Sequence, residues 1–125
     1  MAEHTERFRV QWLDTDAGGR IHFTAAFRWV EAAELALYRR IGMPRELVGN
    51  LPRRHVEATY HRTLVFDDEV EMTLRVDRVG TTSITYAWSG ARAGELAIEG
   101  RYTIVLVDSD GVPIPVSDEL RVKLT

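Results

Sequence analysis

Asp14 and Asp16 stand two residues apart in the run Asp14-Thr15-Asp16-Ala17-Gly18-Gly19. A carboxylate so placed can act as base or nucleophile if a polarised carbonyl is held beside it. The run precedes a helix, and a helix N-terminus presents unpaired N–H groups and a partial positive charge that suit an oxyanion. Gly18 and Gly19 let the backbone turn tightly and leave room for a substrate. Acids beside glycines are more often plain turn residues or helix-end charges, and composition alone favours that reading. A calcium loop of the form Asp14-x-Asp16-x-Gly18 is excluded, because its twelfth position is Ala25 and not a bidentate acid.

The elements that must position these acids follow from periodicity. Glu6 to Trp12 alternates, with Phe8, Val10 and Trp12 on one side, and reads as a strand with its apolar side inward. Asp14 to Arg20 is a loop. Thr24 to Arg40 lacks Gly and Pro and is rich in alanine, so it is the long helix, with the Thr24 hydroxyl as its N-cap and Gly42 at its C-terminus. At about 100° per residue, Ala26, Trp29, Val30, Ala33, Ala36 and Leu37 share one apolar face, with Arg28, Glu31 and Arg39 opposite. Beyond residue 54 the period is two: residues 54–61, 69–79, 83–88 and 96–107 read as strands, with turns at Gly80, Gly90 to Gly94 and Asp108 to Gly111. A short amphipathic segment at 118–124 ends the chain. One helix on an antiparallel sheet is an α+β architecture. No linker or repeat interrupts it, so a single domain spans 1–125.

Composition narrows the function. The chain has no cysteine, which removes disulfides, thiolate metal sites and a cysteine nucleophile. A net charge of −3 gives no basic footprint for nucleic acid. The polar opening Met1-Ala2-Glu3-His4-Thr5-Glu6-Arg7 is no secretory signal, and no apolar run approaches the ~20 residues that span a bilayer, so a cytoplasmic protein without a membrane partner is expected. Lys123 is the one lysine among 16 basic residues, so any phosphate here meets arginine. Five strands and one helix cover one sheet face, and bulky residues recur on both, so a homo-oligomer is expected.

Val10-Gln11-Trp12-Leu13-Asp14-Thr15-Asp16-Ala17-Gly18-Gly19-Arg20-Ile21-His22-Phe23, followed by Phe27-Arg28-Trp29-Val30-Glu31-Ala32-Ala33, resembles the active-site region of the 4-hydroxybenzoyl-CoA thioesterase family. It is similar also to the Tol-Pal-associated acyl-CoA thioesterases, which share Asp-Thr-Asp-Ala-Gly-Gly. The Phe66-Asp67-Asp68 turn resembles the family's aromatic-Asp-Asp. The resemblance implies a hotdog fold, a five-stranded antiparallel sheet wrapped around one long central helix, forming dimers or dimers of dimers. It implies hydrolysis of an acyl thioester of coenzyme A, with no cofactor and no metal. By position Asp16 matches the catalytic aspartate, Asp14 a structural turn acid, and the Phe23 N–H the oxyanion donor, with Thr24 N–H beside it. In the family the thioester lies between subunits and the nucleotide meets surface cations, for which Arg53, Arg54, Arg62 and Arg78 are the candidates.

Departures matter too. Tol-Pal-type enzymes carry histidine at the Phe23 position, whereas His22 here lies one residue earlier; it is a second catalytic candidate through hydrogen bonding, or a solvated loop residue. Many relatives have tyrosine at Ala26, so an enlarged acyl channel is expected if that position borders it. Glu31 matches a family glutamate and also stands three residues after Arg28, where an ion pair is the plainer role. His55 and His61 share a strand face without a third ligand, and His4 is read as a disordered terminus. Trp12, Trp29 and Trp88 are read as core. An acyl-carrier-protein thioesterase and a non-catalytic acyl-binding hotdog module remain alternatives; the histidine and acid of hotdog dehydratases are absent.

Overall fold

Alternating apolar side chains build one antiparallel sheet from β1 (Glu3–Arg9), β2 (Arg53–Tyr60), β3 (Glu69–Val79), β4 (Ser83–Arg92) and β5 (Glu95–Val105). In the computed structural model, which describes residues 1–125, their order is β1-β3-β4-β5-β2. The register sets inward rows across the strands. Met72, Gly90, Ile98 and Tyr60 form one, Leu74, Trp88, Gly100 and Ala58 the next, and Val76, Tyr86, Tyr102 and Val56 a third. A Cβ on Gly100 would lie 2.5 Å from the Trp88 ring and 2.1 Å from the Glu57 carbonyl oxygen, so only glycine lets the indole lie flat there.

Helix α1 (Ala25–Ile41) buries Ala26, Trp29, Val30, Ala33 and Leu37 against this face. It ends at Gly42, whose φ of 73° is the left-handed C-cap conformation that the sequence indicates. The helix packs over β1 and β3. It does not cover the far end of the sheet, where Val56 on the inward side of β2 stays 49% exposed. A short helix α2 (Arg45–Val48) leads to β2, and α3 (Asp118–Leu124) closes the chain by burying Leu120 and Leu124. Burying these apolar surfaces is the main stabilising term, at about 25 cal/mol per Å². The hotdog architecture expected from the sequence is the one observed.

Several boundaries differ from the sequence reading, each for a local reason. The first strand ends at Arg9 and not Trp12. The Asp14 carboxylate accepts the Gln11 N–H at 2.8 Å and closes a 3₁₀ turn over Trp12–Asp14. That turn throws Trp12 outward to 76% exposure, so this tryptophan is not core; its ring meets Phe66 edge-on at 5.6 Å. His4 is ordered within β1, where its Nε2 lies 2.7 Å from Glu6. Gly90 lies inside β4 and not in a turn, because Met72 and Ile98 fill the space a side chain would need. The turn falls at Ala93 and Gly94. The outer faces of β3 and β4 carry Thr73, Thr85, Ala87 and Ser89 together with the charged Glu71 and Arg75 rather than large apolar residues, and the Thr85 and Thr103 hydroxyls bond across strands at 2.9 Å. Within the sheet the uncovered apolar side chains are Val56 and Tyr60 on β2 and Leu96 on β5, while Trp12, Leu13, Phe23 and Phe66 are exposed in the loops.

Candidate active site

Asp14 is the knot of the loop. It is 4% exposed, and its two carboxylate oxygens accept from Arg28 on α1 and from the Gln11 N–H. Its carbonyl accepts the His22 N–H at 2.7 Å. The Arg28 guanidinium is thus committed to Asp14, and the expected Arg28–Glu31 ion pair does not form. Thr15 and Ile21 make a β-bridge, and the Asp16 N–H donates to the Arg20 carbonyl at 2.7 Å. The loop is therefore a small hairpin with Asp16 near its tip and His22 at its base.

Asp16 itself is exposed. One carboxylate oxygen accepts the Gly18 N–H at 2.8 Å, and the other has no protein partner. Gly19 turns the tip with φ of 83°. The pinned oxygen orients the carboxylate and leaves the free one facing solvent.

Residues 22–24 carry the chain into α1. Thr24 has φ −82° and ψ −13°, already helical, so its hydroxyl cannot reach back over the first turn as an N-cap. It lies 2.7 Å from His22 Nδ1 instead, and the Thr24 N–H donates to the same nitrogen at 3.2 Å. The His22 carbonyl accepts the Ala25 N–H, whereas the Phe23 N–H donates to no protein acceptor. The Phe23 ring is exposed and stacks on the His22 imidazole at 4.6 Å. Asp16, His22, Phe23 and Thr24 are thus gathered in one loop at the helix entrance.

The other candidates lie elsewhere. Glu31 and Arg53 line a cleft of about 670 Å³ together with Glu34, Asn50 and Leu51. Arg62 borders a smaller cleft of about 200 Å³ with Arg20, Tyr60 and Leu64, and also pairs with Glu95 at 3.2 Å. Arg54 and Arg78 are exposed and pair with no acid. His61 lies 2.7 Å from Glu99 and His55 3.6 Å from Glu57, so each faces a carboxylate of its own. No helix is long and apolar enough to cross a membrane.

One cluster was not anticipated. Glu34 on α1 is 3% exposed and accepts from the hydroxyls of Tyr38 at 2.7 Å and Tyr102 at 2.8 Å, and from Arg53. The Tyr38 and Tyr86 hydroxyls bond at 2.8 Å, and the Arg53 guanidinium lies 4.8 Å over the Tyr102 ring. Burial raises the pKa of all three phenols, and Glu34 beside them raises it further. Burial lowers that of Arg53, but Glu34 outweighs it and leaves the guanidinium above its ordinary range. Arg53 is therefore held by Glu34. Tyr60 was also missed; its hydroxyl donates to the Phe23 carbonyl.

A five-stranded antiparallel sheet around a central helix, with an acidic glycine loop at the helix entrance, defines the hotdog thioesterase class. Residues 10–124 match the model of the thioesterase-like superfamily, and the chain belongs to it. It is similar in structure to a predicted thioesterase from Bacillus stearothermophilus, with TM-score 0.88 and 25% identity over 98% of this chain and 94% of that one. It superposes on a 4-hydroxybenzoyl CoA thioesterase variant complexed with 4-hydroxybenzoyl CoA, with TM-score 0.91 and 18% identity over 100% of both chains. A thioesterase from Thermus thermophilus, complexed with coenzyme A and Zn, gives TM-score 0.89 and 23% identity over 97% of this chain and 90% of that one.

Proposed function

We propose that the chain hydrolyses an acyl thioester of coenzyme A, with Asp16 as the reacting carboxylate. The observation that carries this reading is the exposed Asp16 with one oxygen pinned by Gly18, in the same loop as the unpartnered Phe23 N–H at the start of α1. The free oxygen of Asp16 attacks the thioester carbonyl, expelling the thiolate and leaving a mixed anhydride that water cleaves to the acid. In the general-base variant the same oxygen takes a proton from water, which attacks directly. Either way the Phe23 N–H and the positive end of the helix stabilise the developing oxyanion. The Thr24 N–H already donates to His22 and serves as a support rather than the main donor. His22 contributes a hydrogen bond from its ring. The coenzyme A ligands of two structural neighbours support the choice of carrier.

Free Arg54 and Arg78, with Arg62, are the proposed phosphate contacts; Glu31 is a secondary candidate, in the larger cleft. A second copy completes the site by covering the exposed inner side of β2. Asp16→Asn keeps the fold and loses at least about 10³-fold in turnover, a typical loss for a nucleophile or base. Incubation with a panel of acyl-CoAs and acyl-carrier-protein thioesters, read by free thiol release, tests the reaction and the carrier together. Near-normal turnover by Asp16→Asn refutes the assignment; no thiol from any substrate favours a binding module.

A further inference from the structure

We infer that Tyr60 is a positioning residue for this reaction: its hydroxyl clamps the Phe23–Thr24 peptide and, through that peptide, fixes which ring nitrogen of His22 carries the proton. The inference rests on the reading of the 14–24 loop as the reacting site. Tyr60 is the last residue of β2, remote in sequence from the loop, yet its O–H donates to the Phe23 carbonyl. That carbonyl accepts from no backbone N–H, so Tyr60 is its one protein partner. The other end of the same peptide unit is the Thr24 N–H, which donates to His22 Nδ1 at 3.2 Å.

The C=O and N–H of a trans peptide lie in one plane and point in opposite directions. Holding both ends stops the plane from rotating. The preceding unit is held as well, by the bond from the Ala25 N–H to the His22 carbonyl at 2.9 Å. With the peptides on either side of Phe23 fixed, its free N–H keeps one direction. Tyr60 supplies the only one of these restraints that comes from the sheet.

The same chain of bonds sets the imidazole. Nδ1 of His22 meets both the Thr24 N–H at 3.2 Å and the Thr24 hydroxyl at 2.7 Å; the N–H can only donate and the hydroxyl can donate as well, so in neutral His22 this arrangement places the proton on Nε2. Donation by Tyr60 polarises the peptide and makes the Thr24 N–H a stronger donor, because bonds in a chain reinforce one another. His22 then presents Nε2–H as a donor for an anionic oxygen or a departing thiolate. No proton moves along the chain; Tyr60 acts only by holding it. Burial raises the pKa of the Tyr60 phenol, which keeps it protonated and donating.

Tyr60→Phe keeps the ring, and so keeps the wall it forms beside Arg62 and Leu64 in the smaller cleft. Its expected signature is a fall of about tenfold in kcat with KM within about twofold of wild type and little change in thermal midpoint. Nitrogen-15 NMR of His22 should show protonated Nε2 in the wild type and a mixture of tautomers in the variant. Losses from Tyr60→Phe and His22→Ala should add only in part in the double variant, because Tyr60 acts partly through His22 and partly on the Phe23 N–H. Wild-type kcat in Tyr60→Phe with an unchanged His22 nitrogen pattern overturns the clamp and leaves the Asp16 reading standing. Additive losses overturn the route through His22. If the wild type hydrolyses no thioester, the nitrogen pattern still decides: unchanged tautomers in Tyr60→Phe overturn the clamp, and a shifted mixture supports it.

Discussion

Glu34 lies on the buried side of α1, between Val30 and Leu37, and both of its oxygens are taken. Removing it strands the Arg53 guanidinium and the hydroxyls of Tyr38 and Tyr102 without their acceptor. Breaking a buried pair this way costs ~3–5 kcal/mol, and the Arg53 side chain, 31% exposed, can recover part of that by hydration. Glu34→Ala should therefore lose about 3 kcal/mol in urea denaturation. A loss under ~1 kcal/mol would mean the cluster holds nothing together. The helix wheel already places Glu34 among apolar neighbours, and a carboxylate there is a signal of buried partners. The partners themselves are not legible, because sequence does not say which strands cross beneath which helical turn. Asp16, His22 and Phe23 could be proposed for the opposite reason: they lie within eight residues of one another, and the family resemblance that names them is carried by that short stretch. Tyr60 reaches Phe23 only through the packing of the end of β2 against the loop.

At the scale of elements, the period of two and the helix C-cap were readable, and the central strands were placed within a few residues. What escaped were ends decided by side-chain bonds. The 3₁₀ turn exists because Asp14 bonds Gln11 and Arg28, and no propensity of Trp12 or Leu13 announces that. One glycine misled in a similar way. Gly90 read as a turn residue, yet it is kept bare by Met72 and Ile98 on its row, as Gly100 is by Trp88 on the next. Gly100→Ala should destabilise the protein by ~3 kcal/mol or prevent folding, since the Cβ would meet strand backbone as well as the Trp88 ring. Circular dichroism and thermal melts check this; a melt within about two degrees of wild type would show that β2 and β5 can part without cost.

For the whole molecule, an α+β arrangement followed from five strands and one alanine-rich helix, and the hotdog form of it from the family resemblance of the loop motif, but the strand order followed from neither. That order makes β2 an edge strand with Val56 and Tyr60 uncovered on its inner side. Light scattering should give twice 14.2 kDa or more, and Val56→Arg should shift the protein toward monomer with loss of turnover. A clean monomer with full activity would contradict the proposal that a second copy completes the site. A site completed by a second copy would also make catalysis a matter of mass action. If two copies must meet before either can turn over, activity per molecule is not constant but declines on dilution below the dissociation constant, and substrate restores it by favouring the paired state. A cell could then set the rate by how much of this protein it makes, more steeply than in simple proportion.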